Sequence, residues 1–328
     1  MDRRAFITVV SGSILTSRLA AEAQTAGKVY RIGVFWTSTP TAVARSNEAF
    51  TRELRERGYV EGQNVILERR YAESRVERIG EIAAELVRMK VDVIVAATDP
   101  AIAAVKRQTQ SIPIVMVGPY DPVGTGFIAS LARPGGNITG LSRMSPELSA
   151  KRLELLREVV PQLSRVAVVW NPDVRGALLD FKELEGPARS LRLQLKSVEV
   201  SHVDDFARAF SAMTEARAEA IIVITPNPVT NANTGQLVSF AQKNRVVSVY
   251  GTSEYADAGG LMAYGVSNTE RWRRSATYVD RILKGVNPGD LPVEQPTKFE
   301  LVINMKAAKA ISLTIPTSLL RRADRVIQ

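Results

Sequence analysis

The chain has 328 residues, about twice a typical domain of roughly 150, so two lobes or one large α/β unit are the architectures to weigh, and a small stapled scaffold is excluded. Hydrophobic residues make up 45% and charged residues 23%, as expected of a chain that buries a core. The absence of cysteine and the presence of one histidine, His202, remove disulfides, thiolate metal sites, cysteine nucleophiles and most imidazole chemistry. The net charge of +9 does not form a nucleic-acid footprint, because basic residues alternate with Glu, as in Arg52-Glu53-Leu54-Arg55-Glu56-Arg57. The densest basic spot, Arg271-Trp272-Arg273-Arg274, reads as an exposed helix turn with Trp272 packed inward or, more sharply, as a docking face for a partner.

Residues 1–23 read as a cleaved export signal. Arg3-Arg4 precedes an uncharged apolar or small stretch, Ala5 to Thr16, and Ala21-Glu22-Ala23 supplies an A-x-A cleavage pattern ahead of Gln24. The apolar stretch is too short to span a bilayer, which needs about 20 residues. Arg3-Arg4-Ala5-Phe6 resembles a twin-arginine signal, with Asp2 where that motif prefers Ser or Thr. Together these features predict export to the periplasm, by the twin-arginine or another route.

From residue 29 onward, short β-branched runs alternate with helical patterns. The runs are 30–36, 92–97, 112–117, 165–170, 220–224 and 246–250; each is nearly continuous, as strands covered on both faces are. Between them, segments such as 45–57, 78–89, 147–160, 203–216 and 236–243 carry apolar residues at i, i+3 and i+4. This is βαβ alternation and predicts parallel sheets. The pattern restarts near residue 145, so two doubly wound lobes are expected: 28–142 plus about 266–292, and 143–265 plus about 299–328. A long helix at 269–284, a Pro-rich connector at 287–296, a strand at 299–304 and a helix near 306–311 suit a chain that crosses repeatedly between two lobes and forms a hinge there.

Open α/β sheets bind ligands at the carboxyl ends of their strands. The loops there contain Trp36, Ser38 and Thr39; Thr98 and Asp99; Tyr120 and Asp121; Asn171; Thr225 and Asn227; and Ser253 and Glu254. Each has a hydroxyl or Asx side chain beside Pro or Gly and ahead of a helix, so each can cap that helix and leave backbone N–H groups facing a cleft. Such N–H groups suit a carboxylate, and Asp99, Asp121 or Glu254 suits an ammonium group. Trp36, Tyr120 and Tyr250 are placed to stack on a ligand. Asp121→Ala is expected to weaken ligand binding at least tenfold, about 1.4 kcal/mol.

Catalytic constellations are thin. His202 lies in a polar strand-to-helix turn, and the chain has no G-x-S-x-G elbow, H-E-x-x-H or P-loop. Gly124-Thr125-Gly126-Phe127-Ile128-Ala129 matches a loose dinucleotide pattern but follows the fourth strand of its lobe, whereas the fingerprint follows the first. Neither a cofactor nor a metal is therefore expected.

Several longer motifs resemble one family. They are Gly58-Tyr59-Val60-Glu61-Gly62-Gln63-Asn64, Asp121-Pro122-Val123-Gly124-Thr125-Gly126, Leu131-Ala132-Arg133-Pro134-Gly135-Gly136-Asn137-Ile138-Thr139-Gly140, Gly259-Gly260-Leu261-Met262, the stretch from Leu291 to Asn304 and Thr314-Ile315-Pro316. The family is the ABC transporter substrate-binding proteins related to the tryptophan/tyrosine-binding type. The resemblance runs the length of the chain. It implies a type I periplasmic binding fold with a three-crossing hinge, capture of a small polar or amino-acid-like solute by lobe closure, and delivery to an ABC permease, and a monomer suits such a diffusing carrier. It also implies scaffold and hinge roles for the glycine-rich loop and for Gln295-Pro296-Thr297-Lys298-Phe299. Family members carry smaller residues where this chain has Trp36, Thr98-Asp99 and Gly118-Pro119-Tyr120, so its specificity is expected to differ. A periplasmic sensor subunit, and less readily an α/β enzyme in the same cleft, are the alternative functions.

Overall fold

The computed structural model describes residues 28–73, 75–143, 147–224 and 227–328. The expected export signal and Thr225 lie outside them.

The first half alternates β1 (Tyr30–Trp36), α1 (Ala44–Glu56), β2 (Val65–Tyr71), α2 (Glu77–Arg88), β3 (Val93–Ala97), α3 (Asp99–Gln108), β4 (Ile114–Val117) and β5 (Ile138–Leu141). Its five strands form a parallel sheet in the order β2-β1-β3-β4-β5. The central strands β3 and β4 are apolar throughout because helices cover both faces of the sheet. One face packs Ile32, Val34, Val93 and Val95 under α1; the other packs Phe35, Ile94, Ile114 and Met116 under α2 and α3.

The second half continues with α4 (Glu147–Val159), β6 (Arg165–Trp170), α5 (Arg175–Ser190), β7 (Gln194–Glu199), α6 (Asp205–Glu215), β8 (Ala220–Val223), α7 (Pro228–Ala232), α8 (Thr234–Lys243), β9 (Val247–Tyr250), α9 (Ser253–Asp257) and β10 (Met262–Val266). Then come α10 (Asn268–Leu283), β11 (Phe299–Asn304), α11 (Met305–Ala310), α12 (Thr317–Arg322) and β12 (Arg325–Ile327). The second sheet runs β12-β11-β10-β9-β8-β6-β7, and the pairing of β11 with β10 is antiparallel. The direction reverses there because β11 enters from the connector between the lobes, whereas the earlier strands enter from helices packed on this sheet.

Helix α10 follows a strand of the second sheet yet packs on the first. Its Trp272, Ala276, Val279 and Ile282 share a buried cluster with Ile32, Phe50 and Leu54. Leu291 and Val293 also bury against the first sheet, and Glu294 bonds back to Gly140 and Ser142 before β11 returns to the second. The chain therefore crosses between the two α/β lobes after β5, after β10 and before β11, as expected of a three-crossing hinge. The carboxyl ends of the parallel strands β1–β5 and β6–β10 face one cleft, and the crossings lie at its base.

Candidate ligand-binding cleft

The cleft encloses about 720 Å³, including the solvent at its mouth. From the first lobe, the end of β1 contributes Trp36, Thr37 and Ser38, the end of β3 Ala97 and Thr98, and the end of β4 Val117 and Gly118. Asn231, Thr252 and Glu254 line it from the second lobe. The base carries Arg143 from the first crossing and Asn268, Arg271 and Trp272 from α10. A smaller recess continues beneath Arg143 and Arg271 to Tyr120, Arg152 and Asp180.

Two positions show how the backbone admits these side chains. Gly118 has φ +77, and a Cβ there would collide with the guanidinium of Arg271, so glycine lets α10 bring Arg271 over the end of β4. At Gly176, near the start of α5, a Cβ would strike the ring of Tyr120, so the two lobes meet closely at that point. Across the outer rim, Arg45 of α1 also pairs with Asp257 of α9 at 2.8 Å.

Thr98 adopts φ 74, ψ 147, a region that costs a β-branched residue on the order of 1–3 kcal/mol. The conformation turns the chain sharply from β3 into α3 at the wall of the cleft.

Buried polar atoms without partners gather around this space. Among the described residues, Trp36 Nε1, Thr98 Oγ1, Asp99 Oδ1, Arg143 Nε and Arg271 Nε are buried and accept or donate no hydrogen bond. Leaving such a group unmatched costs about 1–3 kcal/mol, so their concentration at one place marks a surface built to be completed by something else. Burial, and then the neighbouring charge of Arg143, pushes the Arg271 guanidinium down to about 9. Burial also lowers Arg143, although Asp180, 3.8 Å away, opposes that shift. The carboxyl of Asp99 is raised by burial and partly held down by the charge of Arg143.

The sequence-predicted residues fall into groups. Trp36, Ser38, Thr98 and Glu254 line the cleft, and Glu254 Oε1 accepts from Asn268 Nδ2 at 2.8 Å. Tyr120 lines the recess, with the Arg143 guanidinium 5.8 Å from its ring centre, and its hydroxyl is shifted upward by burial and by Asp180. Asp99 does not line the cleft; it is the first residue of α3, directly after Thr98, and its buried carboxyl feels the charge of Arg143.

Four of the others hold backbone. Asp121 Oδ1 accepts from the Gly124 amide at 2.8 Å, and Thr39 Oγ1 from the Ala42 amide at 3.4 Å. Asn171 Oδ1 accepts from the Asp173 amide at 2.8 Å. Asn227 is fully buried, capping α7 through the Val229 and Thr230 amides. Ser253 faces an outer groove beside Arg45 and Arg325. Trp36 is stacked on Trp272 with ring centres 3.6 Å apart, so one ring face is covered by protein. Tyr250 is core, stacked on Tyr255 at 4.6 Å.

Arg143, Arg271, Asn231, Thr252 and Trp272 enter the site without having been singled out for it. The one available signal was the basic run at 271–274, whose members separate by helical rotation. Arg273 pairs with Glu53 and Glu270, and Arg274 with Glu294, while Trp272 is buried and Arg271 faces the cleft.

Comparison with known proteins agrees with this architecture. The family model described as ABC transporter substrate binding protein matches residues 32–327. A tyrosine-binding protein of Clostridioides difficile (strain R20291) is 25% identical over 288 residues, 87% of this chain and 82% of the relative. A conserved domain protein of Vibrio cholerae O1 biovar El Tor superposes with a TM-score of 0.84 at 27% identity, covering 91% of this chain and 100% of that one. A Streptococcus pneumoniae ABC domain solved in complex with L-Trp also gives 0.84, at 24% identity over 91% of this chain and 99% of that one. The fold these comparisons support is the type I periplasmic binding fold.

Proposed function

The chain belongs to the ABC transporter substrate-binding protein family, and from that premise we propose that it captures a small polar or amino-acid-like solute between its lobes and delivers it to an inner-membrane permease. The observation that carries this reading is the set of buried, unmatched polar atoms on Trp36, Thr98, Arg143 and Arg271 around one interlobe cleft. Ligand contacts made from both lobes exist only when the lobes are together, so binding energy shifts the population toward the closed form. The site is formed by Trp36, Ser38, Thr98, Arg143, Asn231, Thr252, Glu254 and Arg271. The tyrosine-binding relative and the neighbour solved with L-Trp place amino-acid-like compounds among the solutes to try first. The lobes divide at the crossings, near residues 142, 266 and 293–298. Residues 1–23 direct export, and the mature chain works as a periplasmic monomer.

Thermal unfolding of residues 24–328 against amino acids, carboxylic acids, amides and sugars tests the proposal. A ligand at 100 times its dissociation constant adds roughly 2.7 kcal/mol, enough to raise the midpoint by several degrees. A specific hit recovered chemically unchanged is the expected result; a midpoint that no solute in the library moves contradicts the proposal.

A further inference from the structure

The charge of the cleft narrows the class of solute, an inference that rests on the cleft being the ligand site. Arg143 comes from the first crossing and Arg271 from α10, and both guanidiniums line the cavity and the recess below it. Arg143 has only a tenth of its side chain exposed, and its Nε and that of Arg271 bond to nothing among the described residues. A third guanidinium, Arg152, is buried at the floor of the recess, its Nε donating to the Tyr264 carbonyl at 3.0 Å. The carboxylates lining the same space are Asp180 and Glu254. Asp180 is one anionic neighbour of Arg143 and Asp99 a second, its carboxyl raised by burial, while Glu254 accepts from Asn268 at the exposed rim. Ala42, Val43, Ala97, Val117 and the stacked Trp36 and Trp272 form an apolar wall on the first-lobe side, and the rest of the lining is neutral and polar, as at Ser38, Thr98, Asn231 and Thr252.

Like charges held together in a low-dielectric pocket repel strongly, and a zwitterion entering it brings no net charge to offset them. A carboxylate does, and the planar fork of a guanidinium matches its two oxygens. We propose that the cleft selects a net-anionic carboxylate with an apolar body and no ammonium group, its carboxylate docked on Arg143 and Arg271 and its body against the walls around Trp36 and Trp272. The amino group of the corresponding amino acid would meet guanidiniums at the base and, on the opposite wall, a glutamate already engaged with an amide.

Matched sets of probes test this on the exported chain. For phenyl, hydroxyphenyl, indolyl and branched aliphatic bodies, the propionic-type acid, the corresponding α-amino acid and the neutral amide are titrated by calorimetry. In every set that binds, the acid is expected to be at least tenfold tighter than both its amino acid and its amide, the margin a repulsive contact supplies for specificity. An amino acid binding as tightly as its acid, or a sugar or amide as the best ligand, overturns the anionic selectivity and leaves the chain a solute receptor. No binding by any probe or by the wider solute library removes both readings. Arg271→Gln and Arg143→Gln are each expected to weaken the best acid at least tenfold; Arg271→Gln does so without lowering the unfolding midpoint of the free protein, because a like-charge contact is relieved, whereas Arg143→Gln also takes the counter-charge from Asp180 and lowers it. Should either variant fold poorly, Arg271→Lys keeps the charge and is expected to lie between wild type and Gln; affinity unchanged in all of them overturns the docking.

Discussion

The two lobes present the same residue types at the same strand ends and use them differently. In the second lobe the polar side chains are satisfied by backbone: Asn227 caps α7, Asn171 holds the Asp173 amide, and Asp205 accepts from the Ser201 and His202 amides at 2.9 Å. In the first lobe and at the crossing beside it, Trp36, Thr98, Asp99 and Arg143 retain buried polar atoms without partners. Residue type at a strand end therefore does not mark a ligand contact. What matters is whether the local backbone has already used the donor or acceptor. The first lobe and the crossings hold the unmatched groups, and the second lobe lines the opposite wall of the cleft with Asn231, Thr252 and Glu254.

The contrast can be broken most forcefully from the second lobe. Asn227→Ala should cost about 2 kcal/mol, since it leaves two amides and the Val200 carbonyl without their partner, and lower the unfolding midpoint by several degrees. Ligand affinity should stay within about twofold, because this cap does not touch the solute; calorimetry on the folded variant checks both effects.

Thr98→Gly should act in the opposite sense. Relief of roughly 1–3 kcal/mol of backbone strain outweighs the roughly 0.5–1 kcal/mol that glycine loses in entropy, so the midpoint should rise. Affinity should fall about tenfold with the loss of the wall hydroxyl, a trade of function for stability. A variant that gains stability without losing affinity would take Thr98 out of the site.

Asp99→Asn sharpens the electrostatic side. The carboxyl is raised by burial above its unfolded value, so its ionisation penalises the fold fully above the folded pKa and not at all below the unfolded one. The Asn variant should therefore unfold at a higher temperature than wild type at neutral pH and lose that advantage as the pH falls through the folded pKa. A midpoint difference that stays constant with pH would contradict this assignment.

The smallest effect belongs to Asp121→Ala. Its carboxylate organises the turn at Gly124 and does not line the cleft, so affinity should change by less than about twofold. This replaces the tenfold loss expected from sequence.

Much of the fold is visible in the apolar runs, because β3, β4 and β8 sit between helical layers and carry little else. Edge strands are harder to see. β2, with Glu68-Arg69-Arg70, and β7, with Gln194-Leu195-Lys196, expose polar side chains at the sheet margins and do not resemble the central runs. In the site, Trp36, Ser38, Thr98 and Glu254 could be read because strand-end position correlates with the cleft. Arg143 and Arg271 could not, since the separate crossings that bring them together leave no local pattern. Asp121, Asn171 and Asn227 present the opposite difficulty: in sequence, a helix or turn cap and a ligand contact use the same atoms.

The division of labour between the lobes can be read from intrinsic fluorescence. The chain has three tryptophans. Trp36 and Trp272 line the cleft, while Trp170 is stacked on Phe181 within the second lobe. Titrating the solute that gives the largest thermal shift should produce a saturable change in emission that survives in Asn227→Ala with nearly the same midpoint and moves to at least tenfold higher concentration in Arg143→Gln. Equal weakening in both variants, or a titration that Arg143→Gln leaves unmoved, would contradict recognition centred on the first lobe and the crossings.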